Sequence, residues 1–268
     1  MRSEQPVLSS SGEGGEKSPA EQPLPPAGNF KLIISYDGTA YHGWQRQPGK
    51  VTIQGLIEDA LRRLTGQSIN LQAAGRTDAG VHALGQVASF RAARQLAEAN
   101  LLRALNALLP PDIRINSVGQ VAQDFQARKS ARSKVYRYRI NTSPVLSPFD
   151  YRYVFHYPYP LDKEAMIQAA RLFEREDDFT AFSSGHYQYP VRHVYHSVLE
   201  EAGQELIFSI EANGFLRHMV RTIAGTIIMA GRSRLTPEEI EKLFQGKKRT
   251  RLSPTAPAKG LYLVKVNY

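Results

Sequence analysis

Cysteine is absent from all 268 residues, which excludes disulfides, thiolate metal ligands and cysteine nucleophiles. No apolar run approaches the roughly 20 residues that a membrane-spanning helix needs. The N-terminus lacks the charged-then-apolar layout of a secretory leader, so a cytoplasmic location is the expectation. Apolar residues nevertheless make up 42% of the chain and charged ones 22%, enough for a real core.

Acidic charge is in short supply. The net charge is +9, from 34 basic and 25 acidic side chains. Residues 1–27 hold two basic and four acidic groups, leaving 32 and 21 in the remainder, a net +11. So basic a body suits a polyanionic partner such as nucleic acid. On charge alone, an ordinary basic soluble protein fits equally well.

Residues 1–27 are rich in Ser, Gly, Glu and Pro and read as a disordered tail. Order begins at "FKLIISYDG", a strand running into an Asp-Gly turn. In "TIQGLIEDALRRLTG", Thr52 can cap a helix whose stripe is Ile53, Leu56, Ile57, Ala60, Leu61 and Leu64, ended by Gly66. "INLQAA" and "GQVASFRA" read as strands, "LAEANLLRALNALL" as a helix stopped by Pro110-Pro111, and "IRINSVGQV" as a strand. The order β-α-β-β-α-β is a ferredoxin-like pattern.

The second half opens with the strand "SKVYRYRIN" and a Pro- and Tyr-rich segment from Pro144 to Pro160. A helix "DKEAMIQAARLFE", a strand pair "RHVYHSVLEEA" and "QELIFSIEA", and a helix "GFLRHMVRTIAGTIIMAG" follow. A Thr-capped helix "TPEEIEKLFQ" and the alternating strand "GLYLVKVNY" end the chain. The expected class is α+β, with mainly antiparallel sheets in two units, 28–125 and 126–268.

The stretch "AAGRTDAGVHALGQV" interrupts a sheet-like run with Gly75-Arg76-Thr77-Asp78-Ala79-Gly80. Glycine permits conformations or close approaches that a Cβ forbids. Taken alone, the segment is a turn carrying a weak surface charge pair. Two distant features favour a site. "KVYRYRI" puts Tyr136 and Tyr138 on one strand face with Lys134 beside them, which fits base stacking as well as an aromatic core pair. The helix containing "FLRHMVRTIAG" puts Arg217 and Arg221 four apart among apolar residues. A buried arginine there needs an acidic partner, for which Asp78 is a candidate; a snorkelling arginine is the alternative.

With "YDGTAYHGWQRQ", "GRTDAGVHALGQV", "ARKSARSKVYRYRI", "FLRHMVRTIAG" and "PTAPAKGLYLVKVNY" in this order, residues 29–268 strongly resemble the tRNA pseudouridine synthase A family. The resemblance implies isomerisation of uridine to pseudouridine in the tRNA anticodon stem-loop. It also implies a homodimer, two ferredoxin-like domains flanking a basic cleft, and no cofactor or metal. It places the catalytic aspartate at Asp78, the active-site tyrosine at Tyr136, the aspartate-pairing arginine at Arg221 and the nucleotide-holding arginine at Arg76. Leu261 and Leu263 are candidates for the apolar wall of the substrate pocket. Arg46, Lys134, Arg217 and His218 are candidate RNA contacts.

The reaction breaks the C1′–N1 bond, turns the uracil and rejoins it through C5, after the nucleotide has left its stack. Asp78 would start it as a carboxylate, by covalent attack on base or sugar or by removing a ribose proton. Tyr136 would stack on the uracil or sugar, and its hydroxyl could assist proton transfer. A metal-dependent nuclease would need a carboxylate or histidine cluster that the spacing does not offer. A glycosidase would need a second carboxylate, and Asp37 sits in a turn context. A plain RNA-binding module would explain the charge and the tyrosines but leave the Arg-Thr-Asp loop without a task.

Overall fold

The computed structural model describes residue 1, residues 28–93 and residues 96–268. Apart from Met1, the expected tail lies outside the described residues. The first half runs β1 (Gly28–Tyr36), α1 (Ile53–Thr65), β2 (Gln72–Ala73), β3 (His82–Ala92), α2 (Glu98–Leu108) and β4 (Ile113–Gln120). Next come β5 (Ser133–Asn141), β6 (Phe155–His156), α3 (Lys163–Arg171), β7 (Glu176–Asp178), β8 (Val191–Ala202) and β9 (Glu205–Ala212). α4 (Met219–Gly231), α5 (Pro237–Gly246) and β10 (Leu261–Asn267) complete the chain.

Local chemistry accounts for most of these limits. The Thr52 hydroxyl accepts from the Gly55 amide to start α1, and Gly66, at φ 72°, returns its amide to the Arg62 carbonyl to end it. Thr236 and Glu239 form a reciprocal capping box on α5, with Pro237 at the first helical position. The expected strand "INLQAA" shrinks to two residues. The Leu71 amide donates to Glu58 and its carbonyl accepts from Gln54, so side chains of α1 take the bonds a ladder would have used.

The fold is mixed α and β, built on ten strands in a largely antiparallel sheet. The order is β4-β1-β3-β10-β5-β9-β8-β7, with β2 added on β3 and β6 on β5. The last strand joins the two halves. β10 runs parallel to β3, with Leu263 opposite Ala83, and antiparallel to β5, with Leu263 opposite Tyr136. It thereby fixes β3, which leaves the Asp78 loop, beside the tyrosine strand β5.

Strand alternation supplies the core. Phe30, Leu32, Ile34 and Tyr36 on β1 and Leu206, Phe208, Ile210 and Ala212 on β9 are buried, with half-buried residues between them. Each such large apolar side chain stabilises by about 1.5–3 kcal/mol when fully buried. Helices α3 and α4 pack against each other, α3 also against β8 and α4 against β5, and α2 lies on β4.

One helix differs from expectation. α4 begins at Met219, because His218 takes the left-handed conformation at φ 62° and breaks the run. The preceding residues are held elsewhere: the Arg217 amide donates to the Tyr187 hydroxyl, and its carbonyl accepts from the Ser184 amide. Arg217 and Arg221 therefore do not share a helix face.

Candidate active site

The loop between β2 and β3 is anchored on both sides. The Thr77 hydroxyl pairs with the Tyr36 hydroxyl at 2.7 Å, and its carbonyl accepts from the Trp44 amide at 3.0 Å. Gly43, at φ 82°, makes the approach possible: a Cβ there would stand 2.6 Å from the Thr77 carbonyl oxygen. Gly80 closes the loop at φ 76°. Gly75 plays a lesser part than its sequence context implied, since its φ is not in the left-handed region and a Cβ would meet only ordinary contacts.

This anchoring presents Asp78, a partly exposed carboxylate. Arg221, two residues into α4, donates from Nη1 to Asp78 Oδ2 at 3.1 Å. The Arg221 Nε donates to the Ala256 carbonyl at 2.8 Å, and the Arg221 carbonyl accepts the Ala256 amide at 3.0 Å. The guanidinium is thus gripped from behind by the segment before β10 while its fork faces the loop. His218 adds a second contact on the same oxygen, with Nε2 3.4 Å from Oδ2. Among the described residues, no hydrogen bond or ion pair falls on Oδ1.

Tyr136 faces this loop from β5. A Cβ at Gly75 would lie 3.9 Å from the Tyr136 hydroxyl and 3.5 Å from Lys134 Cε. Burial, reinforced by nearby Tyr36 and Asp78, pushes the Tyr136 hydroxyl well above the usual tyrosine range. Its ring meets Phe215 edge-on at 5.0 Å, and its hydroxyl makes no hydrogen bond among the described residues. Tyr138 is different. It is sealed in the core and donates to the Pro257 carbonyl at 2.9 Å, so it belongs to the scaffold rather than to a stacking platform.

The other candidates fall in different places. Arg76 is exposed and makes no ion pair or hydrogen bond among the described residues. Lys134 is half-buried without an acidic partner; burial and the cations Arg128 and Arg192 pull its pKa down. Leu263 is 0% exposed beside Tyr136, and Leu261 is buried opposite Tyr138, so neither presents open surface to a ligand. Arg46 gives its charge to Glu58 and Asp59 of α1, both at 2.8 Å. Arg217 is exposed just before α4.

Asp37 is the turn residue its context suggested. Its carboxylate accepts from Thr39 and Tyr153, and these bonds outweigh burial to hold it below the usual range. Among the described residues, no group of three or more histidines and acids could hold a metal. No described helix is long and apolar enough to cross a membrane. A depression of about 370 Å³ lined by Asn70, Gln72, Arg91, Phe125 and Gln126 does not reach Asp78 and brings no acid–base pair together.

Two residues behind the loop were not legible in the sequence. Ser184 sits in a loop and Arg249 in a run of basic residues, with no spacing to link either to Asp78. Yet Ser184 Oγ lies 2.9 Å from His218 Nδ1, and Arg249 Nη1 donates to that Oγ at 2.7 Å.

Residues 32–128 and 169–268 match the model of a family described as tRNA pseudouridine synthase. The chain belongs to the tRNA pseudouridine synthase family. It is 43% identical over 244 residues to tRNA pseudouridine synthase A of Solibacter usitatus, covering 89% of this chain and 99% of that one. The corresponding synthase of Caldicellulosiruptor bescii is 43% identical over 242 residues, covering 90% and 99%. That of a Geobacillus species is 44% identical, covering 89% and 98%. The family match includes Asp78, Tyr136's neighbour strand β10 and the helix bearing Arg221, while Tyr136 itself lies between the two matched segments.

Proposed function

We propose that this chain isomerises uridine to pseudouridine in the anticodon stem-loop of tRNA, with Asp78 as the initiating carboxylate. The observation that carries the reading is the Asp78–Arg221 pair, 3.1 Å apart and joined across 143 residues of sequence, on a loop facing a Tyr136 hydroxyl that no described residue hydrogen-bonds. Both the similarity to tRNA pseudouridine synthase A and the basic body support tRNA as substrate.

The target nucleotide leaves its stack at a cost of a few kcal/mol, recovered through new contacts. Arg76, exposed and without a partner among the described residues, occupies or braces the vacated position. Lys134, Arg128 and Arg192 add positive charge beside the loop and support a basic cleft for the RNA backbone. Asp78 uses Oδ1, which no described residue hydrogen-bonds, to begin cleavage of the C1′–N1 bond, while Arg221 holds Oδ2. The freed uracil turns under Tyr136 and bonds to C1′ through C5; the proton on C5 is lost and N1 gains one. The buried tyrosine stays protonated at neutral pH, so its hydroxyl remains available as a donor.

On this reading the residues before and after about 125 form two ferredoxin-like units sharing the sheet, and the enzyme works in the cytoplasm as a homodimer. The test is tritium release from tRNA labelled at uracil C5, without added metal or cofactor. Wild-type protein releases tritium, and Asp78→Asn binds tRNA without turnover. Turnover by that variant sinks the role of Asp78; tRNA binding without turnover by wild type favours a non-catalytic RNA-binding module.

A further inference from the structure

The reading of Asp78 as initiating carboxylate leaves one question open: what decides which of its two oxygens meets the substrate. Four side chains, from three separate stretches of the sequence, meet behind the loop. Arg249 Nη2 donates to Thr255 Oγ1 at 2.5 Å, and Nη1 donates to Ser184 Oγ at 2.7 Å. Ser184 Oγ in turn lies 2.9 Å from His218 Nδ1, and His218 Nε2 lies 3.4 Å from Asp78 Oδ2.

Donor and acceptor rules give this chain a direction. A guanidinium can only donate, so Ser184 Oγ accepts from Arg249. The serine proton is then free for His218 Nδ1, which becomes an acceptor. In the neutral imidazole the remaining proton must sit on Nε2, the nitrogen 3.4 Å from Asp78 Oδ2. Neutral histidine is what the surroundings favour: burial, together with the cations Arg221, Arg217 and Arg249, lowers its pKa despite Asp78 nearby. The backbone is shaped to the same end. His218 occupies φ 62°, uncommon for a residue with a Cβ, and Ser184 and Tyr187 clamp the preceding peptide.

We infer that His218 is a positioning residue: locked by Ser184 and Arg249 as the Nε2–H tautomer, it joins Arg221 in holding Asp78 Oδ2, so that Oδ1 alone faces the reacting nucleotide. This inference rests on the proposed function and extends it to residues whose sequence context gave them no catalytic part. Arg221 already donates to Oδ2, and the His218 Nε2, 3.4 Å from it, needs to close by only a few tenths of an ångström to donate to the same oxygen and fix the carboxylate about its Cβ–Cγ bond. A single donor would leave that rotation loose.

The experiment has two arms. In the first, single-turnover pseudouridine formation and tRNA binding are measured for wild type, H218L, H218Q and S184A. Loss of the donor in H218L slows the chemical step by about tenfold to a hundredfold while the tRNA dissociation constant stays within about twofold. H218Q places an amide N–H near the position of Nε2 and recovers most of the loss. S184A frees Nδ1 to take the proton, so the chemical step slows at neutral pH and recovers as the pH falls, because the imidazolium carries Nε2–H whichever tautomer preceded it. A merely structural serine would show no such recovery.

In the second arm, nitrogen NMR of histidine-labelled protein reads the tautomer directly, with H218Q assigning the signal. The expected result is Nε2–H in wild type and a loss of that preference in S184A. An Nδ1–H tautomer in wild type, or wild-type turnover by H218L, overturns the inference. Absence of turnover by wild type overturns the proposed function instead, and the tautomer measurement still decides the relay.

Discussion

Arg221 donates to Asp78 across 143 residues of sequence while its Nε is held by the Ala256 carbonyl. The guanidinium therefore cannot drift from the loop without giving up a second bond. Replacing it with leucine removes the charge facing Asp78 and is expected to lower the rate by at least about a hundredfold. Because the pair is partly exposed, the fold should persist, with only a small fall in Tm. Arg221→Lys keeps the charge but lacks the fork that reaches both partners, so it recovers only part of the rate. Normal turnover by the leucine variant, measured beside its melting curve, would remove Arg221 from the mechanism.

Burial pushes the Tyr36 and Tyr262 hydroxyls up to about 12 from the ordinary value of 10.0, and raises Tyr136 and Tyr138 further. A pKa raised by folding stabilises the native state fully below the unfolded value and progressively less above it. Stability should thus be flat up to about pH 10 and fall from there toward about 12. Unfolding should coincide with a cooperative rise in tyrosinate absorbance. Ionisation of Tyr36, Tyr136, Tyr138 or Tyr262 near the ordinary value, in a protein that stays folded, would contradict this burial.

The outline of the fold could be read from the chain because its signals are local. Thr52, the apolar stripe and Gly66 all act within α1, and its limits follow from them. The start of α4 could not be read this way. The apolar run continues upstream through Phe215 and Leu216, and only the distant Ser184 and Tyr187 impose the break at His218. The same distinction holds at the site. An arginine on an apolar helix advertises its need for an acid, which made Asp78 a candidate partner for Arg221. A serine in a loop and an arginine in a basic run advertise nothing, so Ser184 and Arg249 emerge only from geometry. Arg46 shows the converse, since its position beside Glu58 and Asp59 depends on how its loop returns to α1.

Arg76 carries a charge that no described residue neutralises. If it meets the RNA, Arg76→Ala should weaken tRNA binding without changing the melting temperature. Contact with one phosphate should reduce the slope of log affinity against log salt by about one. A weaker affinity with an unchanged slope would instead assign Arg76 to the space vacated by the flipped nucleotide. Binding and slope both equal to wild type would place it outside the interface.

Gly43 tests whether the loop needs its anchor. At φ 82° a residue with a Cβ pays roughly 1–2 kcal/mol for the left-handed conformation alone. A methyl group there would also press against the Thr77 carbonyl and the Ala79 amide, both backbone atoms that cannot swing aside. Gly43→Ala should therefore push the loop away from Trp44 and loosen the Tyr36–Thr77 bond, displacing Asp78 from Arg221. The turnover rate should fall by about tenfold or more, out of proportion to the loss of stability, because small displacements of a catalytic group are costly. Measuring rate and melting temperature together separates the two effects. A variant that is destabilised yet turns over normally at a temperature where it is folded would show that Asp78 keeps its place without this contact.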